Sequence, residues 1–325
     1  MLEKRTARDY ACRALNYLTL TLLALSIVFP FYYIIVLSFN EGQNTLAGGS
    51  LMLFPRAFTL ENYAEAFRYK TMTTSMLVTL SRTVIVTGAG LILQSMLAYA
   101  LTFKTLPGRR WISMFFYFTT LFGGGLIPTY VLYRQMGILS TYWVLILPSL
   151  SSVWNTFILR TFFQGLPDSI AESARIDGAT ETRIFFSLLL PLSKPVLATV
   201  ALYIGVGIWN DWFTGEYFIL MRDEIQPAAT MLNKLLAQSN FSAPGGASDL
   251  VPGQGSSIFA NTTTTTTESL RMAFIIITIF PIMCVSLSAE VFREGRAGRI
   301  CERIGDQKWH VQPHTRSFRT IFWST

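Results

Sequence analysis

Six apolar runs constrain this chain more than anything else in it. A bilayer core of roughly 30 Å takes about 20 residues of helix. A backbone in lipid must satisfy its own hydrogen bonds, and a long apolar run does so as a helix. The runs extend from about Leu15 to Leu37, Met76 to Phe103, Trp111 to Tyr133, Tyr142 to Phe163, Val196 to Leu220 and Met272 to Ala289, the last being the shortest. The expected fold is all-α: a polytopic membrane protein of about six transmembrane helices. Composition agrees, with 51% hydrophobic and only 14% charged residues, where soluble domains carry about 25% charged. Pro30, Pro128, Pro148 and Pro281 lie in or near the runs, which membrane helices tolerate when neighbours take up the freed carbonyls.

The first run follows Lys4, Arg5, Arg8 and Arg13, as a signal peptide would. A signal h-region is only about 7–15 residues long and ends in small residues. This run is longer and ends in the bulky "FPFYYIIVLSF", so it reads as a retained first helix.

Basic residues orient the chain, because they concentrate on the cytoplasmic side. With the N-terminus inside, the inner segments hold 18 of the 26 Lys and Arg residues and the outer segments hold 7, with Arg82 lying within the second run. The bias survives without the tail. It gives a cytoplasmic leader over 1–14 and a transmembrane domain over 15–289, with its core at about 72–289. A cytoplasmic loop then covers 164–195, an outer flexible loop 221–271, and an atypical tail 290–325. The net charge of +7 thus reflects membrane topology and not nucleic acid. The outer segment before the second run contains "FPRAFTLENYAEAF", the pattern of a short amphipathic surface helix. Residues 239–267 are rich in Gly, Ser, Pro, Asn and Thr, a composition that buries no core and reads as flexible.

Several function classes drop out. Cys12, Cys284 and Cys301 form no CxxC pair, and both histidines, His310 and His314, lie in the tail. No GxxxxGK[ST] motif is present to cradle a nucleotide phosphate. No catalytic, cofactor or metal site is expected. An ion-driven transporter should show inverted repeats and intramembrane carboxylates. No clear repeat is present, and Asp211 is the one good carboxylate.

The 164–195 loop reads "ESARIDGATETRIFFSLLLPLSKP" over residues 172–195. Pro167 and Asp168 break the preceding helix, and Ser169 to Glu172 fits the S-x-x-E capping box. A helix over Ile170–Asp177 is expected, ending at Gly178. Thr180 can cap a second helix running to Leu190 and ended by Pro191, and Pro195 suits the first turn of the fifth span. Ala171, Ala174 and Gly178 share a small face, with Glu172 and Arg175 spaced to pair on its rim. About eight residues form no stable helix unaided. The segment is either a docking piece for a partner or an amphipathic loop on the membrane surface.

Here the sequence resembles a known motif. Glu172-Ser173-Ala174, three residues, Gly178, nine residues and then Leu188-Leu189-Leu190-Pro191 is similar to the EAA loop, EAA-x3-G-x9-I-x-L-P, of permease subunits of ATP-binding cassette (ABC) importers. Ser173 and Leu188 depart conservatively from it. Asp177-Gly178-Ala179, "GGGLIPTYVLYRQMGILSTY" (123–142) and "WNDWF" (209–213) resemble the carbohydrate-uptake branch. The resemblance implies that Glu172, Ser173, Ala174, Arg175, Asp177, Gly178, Leu190 and Pro191 belong to a coupling loop that docks on a cytoplasmic ABC ATPase dimer. It also implies a second permease subunit, normally a different chain, and an extracellular solute-binding protein that delivers a sugar or oligosaccharide through a bacterial cell membrane.

Polar groups at membrane depth usually face a cavity. Asn155 lies in the fourth run and Asn210 and Asp211 in the fifth, flanked by Trp209 and Trp212, whose faces suit sugar rings. These five are candidate substrate-path residues. The tryptophans also fit an interfacial belt, and Asn155 a bond to another helix. Arg82 is expected to snorkel toward the outer interface. After Val285 the chain loses membrane-like patterning and crowds seven basic residues into 290–325, which reads as a frameshifted or divergent end.

Overall fold

Glycine and proline mark where the third and fourth apolar runs break. The computed structural model describes residues 7–41, 52–68, 70–220, 222–241 and 268–283. The Gly/Ser/Thr-rich stretch 242–267, the end of the expected sixth span and the tail lie outside the described residues. Among the described residues the elements are helices and turns, and one isolated bridge joins Asn40 to Phe58. Three helical stretches are long and apolar enough to cross a bilayer: Cys12–Ser38, Thr71–Ala100 and Tyr142–Gln164. Two bent helix pairs raise the number to five if each pair is one span. A helix over 268–283 begins the sixth run.

The first span belongs to the helix Ala7–Ser38, which runs on through Pro30. Its residues 12–32 are exposed on every side, which in lipid is the expected state of an apolar surface without a protein neighbour. The third run is not the continuous helix expected. Arg109–Leu121 stops at Phe122, and Leu126–Gln135 leaves at a bend of 115°. Gly123, Gly124 and Gly125 supply the break, and Gly125 has φ +84, a backbone state that side chains with a Cβ avoid.

The fourth span is interrupted at Pro148, where Leu147–Leu150 forms a 3-10 turn. Ser152 then caps Val153–Gln164 by accepting the N–H of Asn155 at 3.4 Å. Carbonyls at such a break cannot stay bare in lipid. The second span, Lys70–Ala100, covers two of them: Arg82 Nε donates to Leu145 O and Gln94 Nε2 donates to Leu150 O, both at 2.9 Å.

The second, fourth and fifth spans make the bundle's centre. Val86 and Ala98 of the second pack with Ile146, Leu159 and Phe163 of the fourth and Val200 and Ile204 of the fifth. In lipid this contact is held by close packing and interhelical bonds more than by hydrophobic transfer. The fifth span, Lys194–Trp209, is shorter than the expected run to Leu220. It ends at a turn over 210–212, beyond which Phe213–Phe218 forms a separate helix.

The surface helix expected before the second span is present as Glu61–Arg68. Its buried Asn62 donates to Ser38 O and Asn40 O, each at 2.9 Å, and accepts from Ser269 Oγ at 3.0 Å. One side chain thus ties the first span to the start of the last helix. The 221–271 loop is more structured than expected over its described part. Ala228–Phe241 is helical, with Leu232 and Leu235 packed toward Met72 and Phe274 and the Ala228 N–H bonded to Thr79 Oγ1 at 2.8 Å.

Candidate functional site

The 164–195 loop forms a helix over Asp168–Ile176, with Pro167 at its N-cap position. This start lies two residues before the expected one. Asp168 is already helical, so Ser169 sits inside the first turn and the expected capping box does not form. The other end agrees with expectation. Gly178 has φ +78, Gly178 N–H donates to Arg175 O at 3.0 Å and Ala179 N–H donates to Ala174 O at 2.9 Å. This pair of bonds is the Schellman motif, which satisfies the helix's last carbonyls. Thr180 caps the next turn by accepting the Arg183 N–H at 3.4 Å. Pro191 does not end that second helix. Glu181–Ile184 passes into a π-turn over Phe185–Leu189 and a last turn over Leu190–Leu192. The chain then bends by 84° into the fifth span. Pro195 lies in the first turn of that span.

No residue of the Asp168–Ile176 helix is buried, and Ile176 is 86% exposed. Glu172 is exposed and makes no hydrogen bond or ion pair among the described residues, so the expected i,i+3 pair with Arg175 is absent. The Schellman turn brings Glu181 back instead. Arg175 Nε donates to Glu181 Oε1 at 2.7 Å, and Tyr99 Oη at the end of the second span donates to Glu181 Oε2 at 2.6 Å. The bond from Arg175 holds the Glu181 carboxyl below the usual carboxylate range, and Glu181 in turn raises Arg175. A cleft of about 720 Å³ lies between this helix, the loop after the second span and the end of the fourth. No sequence pattern marked Tyr99 or Glu181. Their bond to the helix follows from a turn geometry that spacing alone does not show.

A second polar junction lies where the fourth and fifth spans are interrupted. Arg82 does not snorkel: its side chain is fully buried. It bonds Leu145 O, Ser149 Oγ at 3.4 Å and Asp211 Oδ2 at 2.5 Å. The other Asp211 oxygen accepts the Thr214 N–H at 3.1 Å, and the Asp211 side chain keeps 21% exposure. Arg82 Nη1 is buried with no partner.

The five path candidates separate here. Asp211 and Trp212 are reachable, Trp212 at 42% exposure. Asn210 is exposed and its amide donates back to Val206 O at 3.0 Å. Trp209 is buried, and its Nε1–H donates to Thr278 O of the last helix at 3.0 Å. Asn155 is buried on the fourth span, and among the described residues no hydrogen bond links its side chain to the 210–212 turn.

The family model described as "Binding-protein-dependent transport system inner membrane component" matches residues 4–295. Protein LplC of Bacillus subtilis is 37% identical over 261 residues, 79% of this chain and 83% of its own. The polygalacturonan/rhamnogalacturonan transport system permease protein YtcP of the same organism is 34% identical, covering 82% of this chain and 89% of its own. The crystal structure of a bacterial ABC transporter involved in the import of the acidic polysaccharide alginate contains a chain with a TM-score of 0.78 and 26% identity. That match covers 88% of this chain and 98% of the other. None of these supports an ion-coupled transporter. Membership brings an ATPase, a binding protein and a second permease as partners, and it leaves ATP hydrolysis to another subunit. The chain belongs to the binding-protein-dependent transport system inner membrane component family, and it is a membrane-embedded permease subunit of an ABC importer.

Proposed function

We propose that the subunit passes a sugar or oligosaccharide across a bacterial cell membrane, driven through the Asp168–Ile176 helix by an ABC ATPase dimer. The observation that carries the coupling role is that this helix is capped at its C-terminal end yet buries no residue, with the Glu172 carboxylate unpartnered. So short a helix gains its remaining stability from a partner. Glu172, Ser173, Ala174, Arg175, Asp177 and Gly178 present it, and Leu190 and Pro191 lie in the last turn of the segment that returns to the membrane. The positive charge bias supports a cytoplasmic side for the leader 1–14 and this loop and an outer side for residues 221–271. The second permease is a different chain, and the atypical 290–325 tail follows the transport core in sequence.

The carbohydrate class rests on the names of the relatives and on the 209–213 turn. Asp211 and Trp212 offer a carboxylate and an aromatic face, the groups that bind sugar hydroxyls and stack on sugar rings. Asn210 and Asn155 are the further path candidates, and Trp209 contributes by fixing the turn to the last helix. Gly178→Trp tests the coupling role. The complex should still insert in the membrane, while uptake of labelled galactotriose and trigalacturonate, one neutral and one acidic probe, falls to background. Normal uptake by that variant would sink the docking assignment.

A further inference from the structure

We propose that Glu181 is a positioning residue that links the second span to the coupling helix through Tyr99 and Arg175. The inference rests on the coupling role given above. Two covalent connections carry motion from the Asp168–Ile176 helix into the bundle, backward to the fourth span and forward to the fifth. The second span has no such connection, although it packs against both of them at the bundle's centre.

Its attachment is polar and aromatic. Glu181 accepts Tyr99 Oη on one oxygen and Arg175 Nε on the other. The Tyr99 ring lies 4.9 Å from that of Phe103 and 5.5 Å from that of Phe185, and the Arg175 guanidinium sits 5.9 Å over Phe103. Among the described residues, the exposed Lys104–Asp168 pair, at 4.0 Å, also joins the helix to the loop after the second span. Because no residue of the helix is fully buried, a push on it reaches the second span chiefly through this cluster. Each charge-assisted bond is directional, so Glu181 transmits displacement as well as attraction.

Hydrogen–deuterium exchange on the complete complex, with permease pair, ATPases and binding protein in nanodiscs, tests this with and without ATP plus vanadate. In the unaltered complex, nucleotide should change exchange of the peptide covering residues 97–108. In Tyr99→Phe and Glu181→Gln that change should shrink at least threefold, and the double variant should lose no more than either single one. Glu181→Asp, which keeps the carboxylate, should retain part of it. In every variant the 168–178 peptide should remain protected by the ATPase. An equal 97–108 response in variants and unaltered complex overturns the linkage, as does no response in the unaltered complex. Loss of 168–178 protection only in the variants places the two residues in docking and overturns it too. If 168–178 is unprotected even in the unaltered complex, the coupling role itself fails.

Discussion

Two of the arginine–carboxylate pairs among the described residues differ in almost every physical respect. Arg82 and Asp211, 129 residues apart, meet among span breaks with Arg82 wholly buried. Arg175 and Glu181, six residues apart, meet at the loop with side chains 42% and 48% exposed. In the first pair, charge desolvation is already spent, and either partner alone would be left uncompensated. In the second, water screens the attraction and the pair contributes little to stability. The inner pair suits a weld that keeps interrupted spans registered. The outer pair suits a joint that bears load in transport yet can be remade.

The sharpest way to break this contrast is Asp211→Ala. It leaves the Arg82 guanidinium buried without its anion, so a loss of about 3–5 kcal/mol is expected, read as a lowered thermal midpoint or as protein missing from the membrane. Arg82→Ala should cost less, since the orphaned Asp211 is partly exposed. Arg82→Met with Asp211→Leu should recover most of the loss. If both single variants unfold like the unaltered protein, the pair is no weld.

A smaller effect is expected at Trp209. Trp209→Phe keeps most of the ring packing and removes only the Nε1–H bond to Thr278 O. Interhelical bonds in membrane proteins are worth about 0.6 kcal/mol on average, so the midpoint should fall by a few degrees at most. A loss as large as that of Asp211→Ala would move the weld from Arg82 to the last helix.

How much of this could be read from the sequence follows from the reach of each interaction. Gly178 and Thr180 were legible because a left-handed residue and a side-chain cap are local. The start of the same helix was not, because the Ser169–Glu172 pattern competes with Asp168, which is already helical behind Pro167. The third run had the length of a span, and length outweighed three consecutive glycines that bend it by 115°. Arg82 was visible as a lone charge in an apolar run, but its partner was not, since no local period joins the second span to the fifth. The helix Ala228–Phe241 was hidden by the Gly- and Ser-rich stretch that follows it in the same loop.

The smallest effect is expected at the exposed pair. Glu181→Gln should change folding stability by less than about 0.5 kcal/mol, even though it is expected to blunt the response of the second span to nucleotide. The pH dependence has a definite sign. Glu181 titrates below its ordinary 4.5 because Arg175 donates to it. A carboxyl lowered on folding contributes stability above its unfolded value and loses it as pH falls through the folded one. The joint should therefore be unaffected from neutral pH down to the ordinary carboxylate range and weaken only below it. Salt should weaken it sooner, because at about 1 M ionic strength the screening length is about 3 Å. The inner pair, whose Arg82 is wholly buried, should respond far less. Exchange rates of the 168–178 peptide in the permease without its ATPase, followed from low to high salt at pH 7, read this directly. A rise there, with far less change at residues 80–86, is the expected outcome. Equal sensitivity at both places would mean that water reaches the inner pair and that the two differ in position alone.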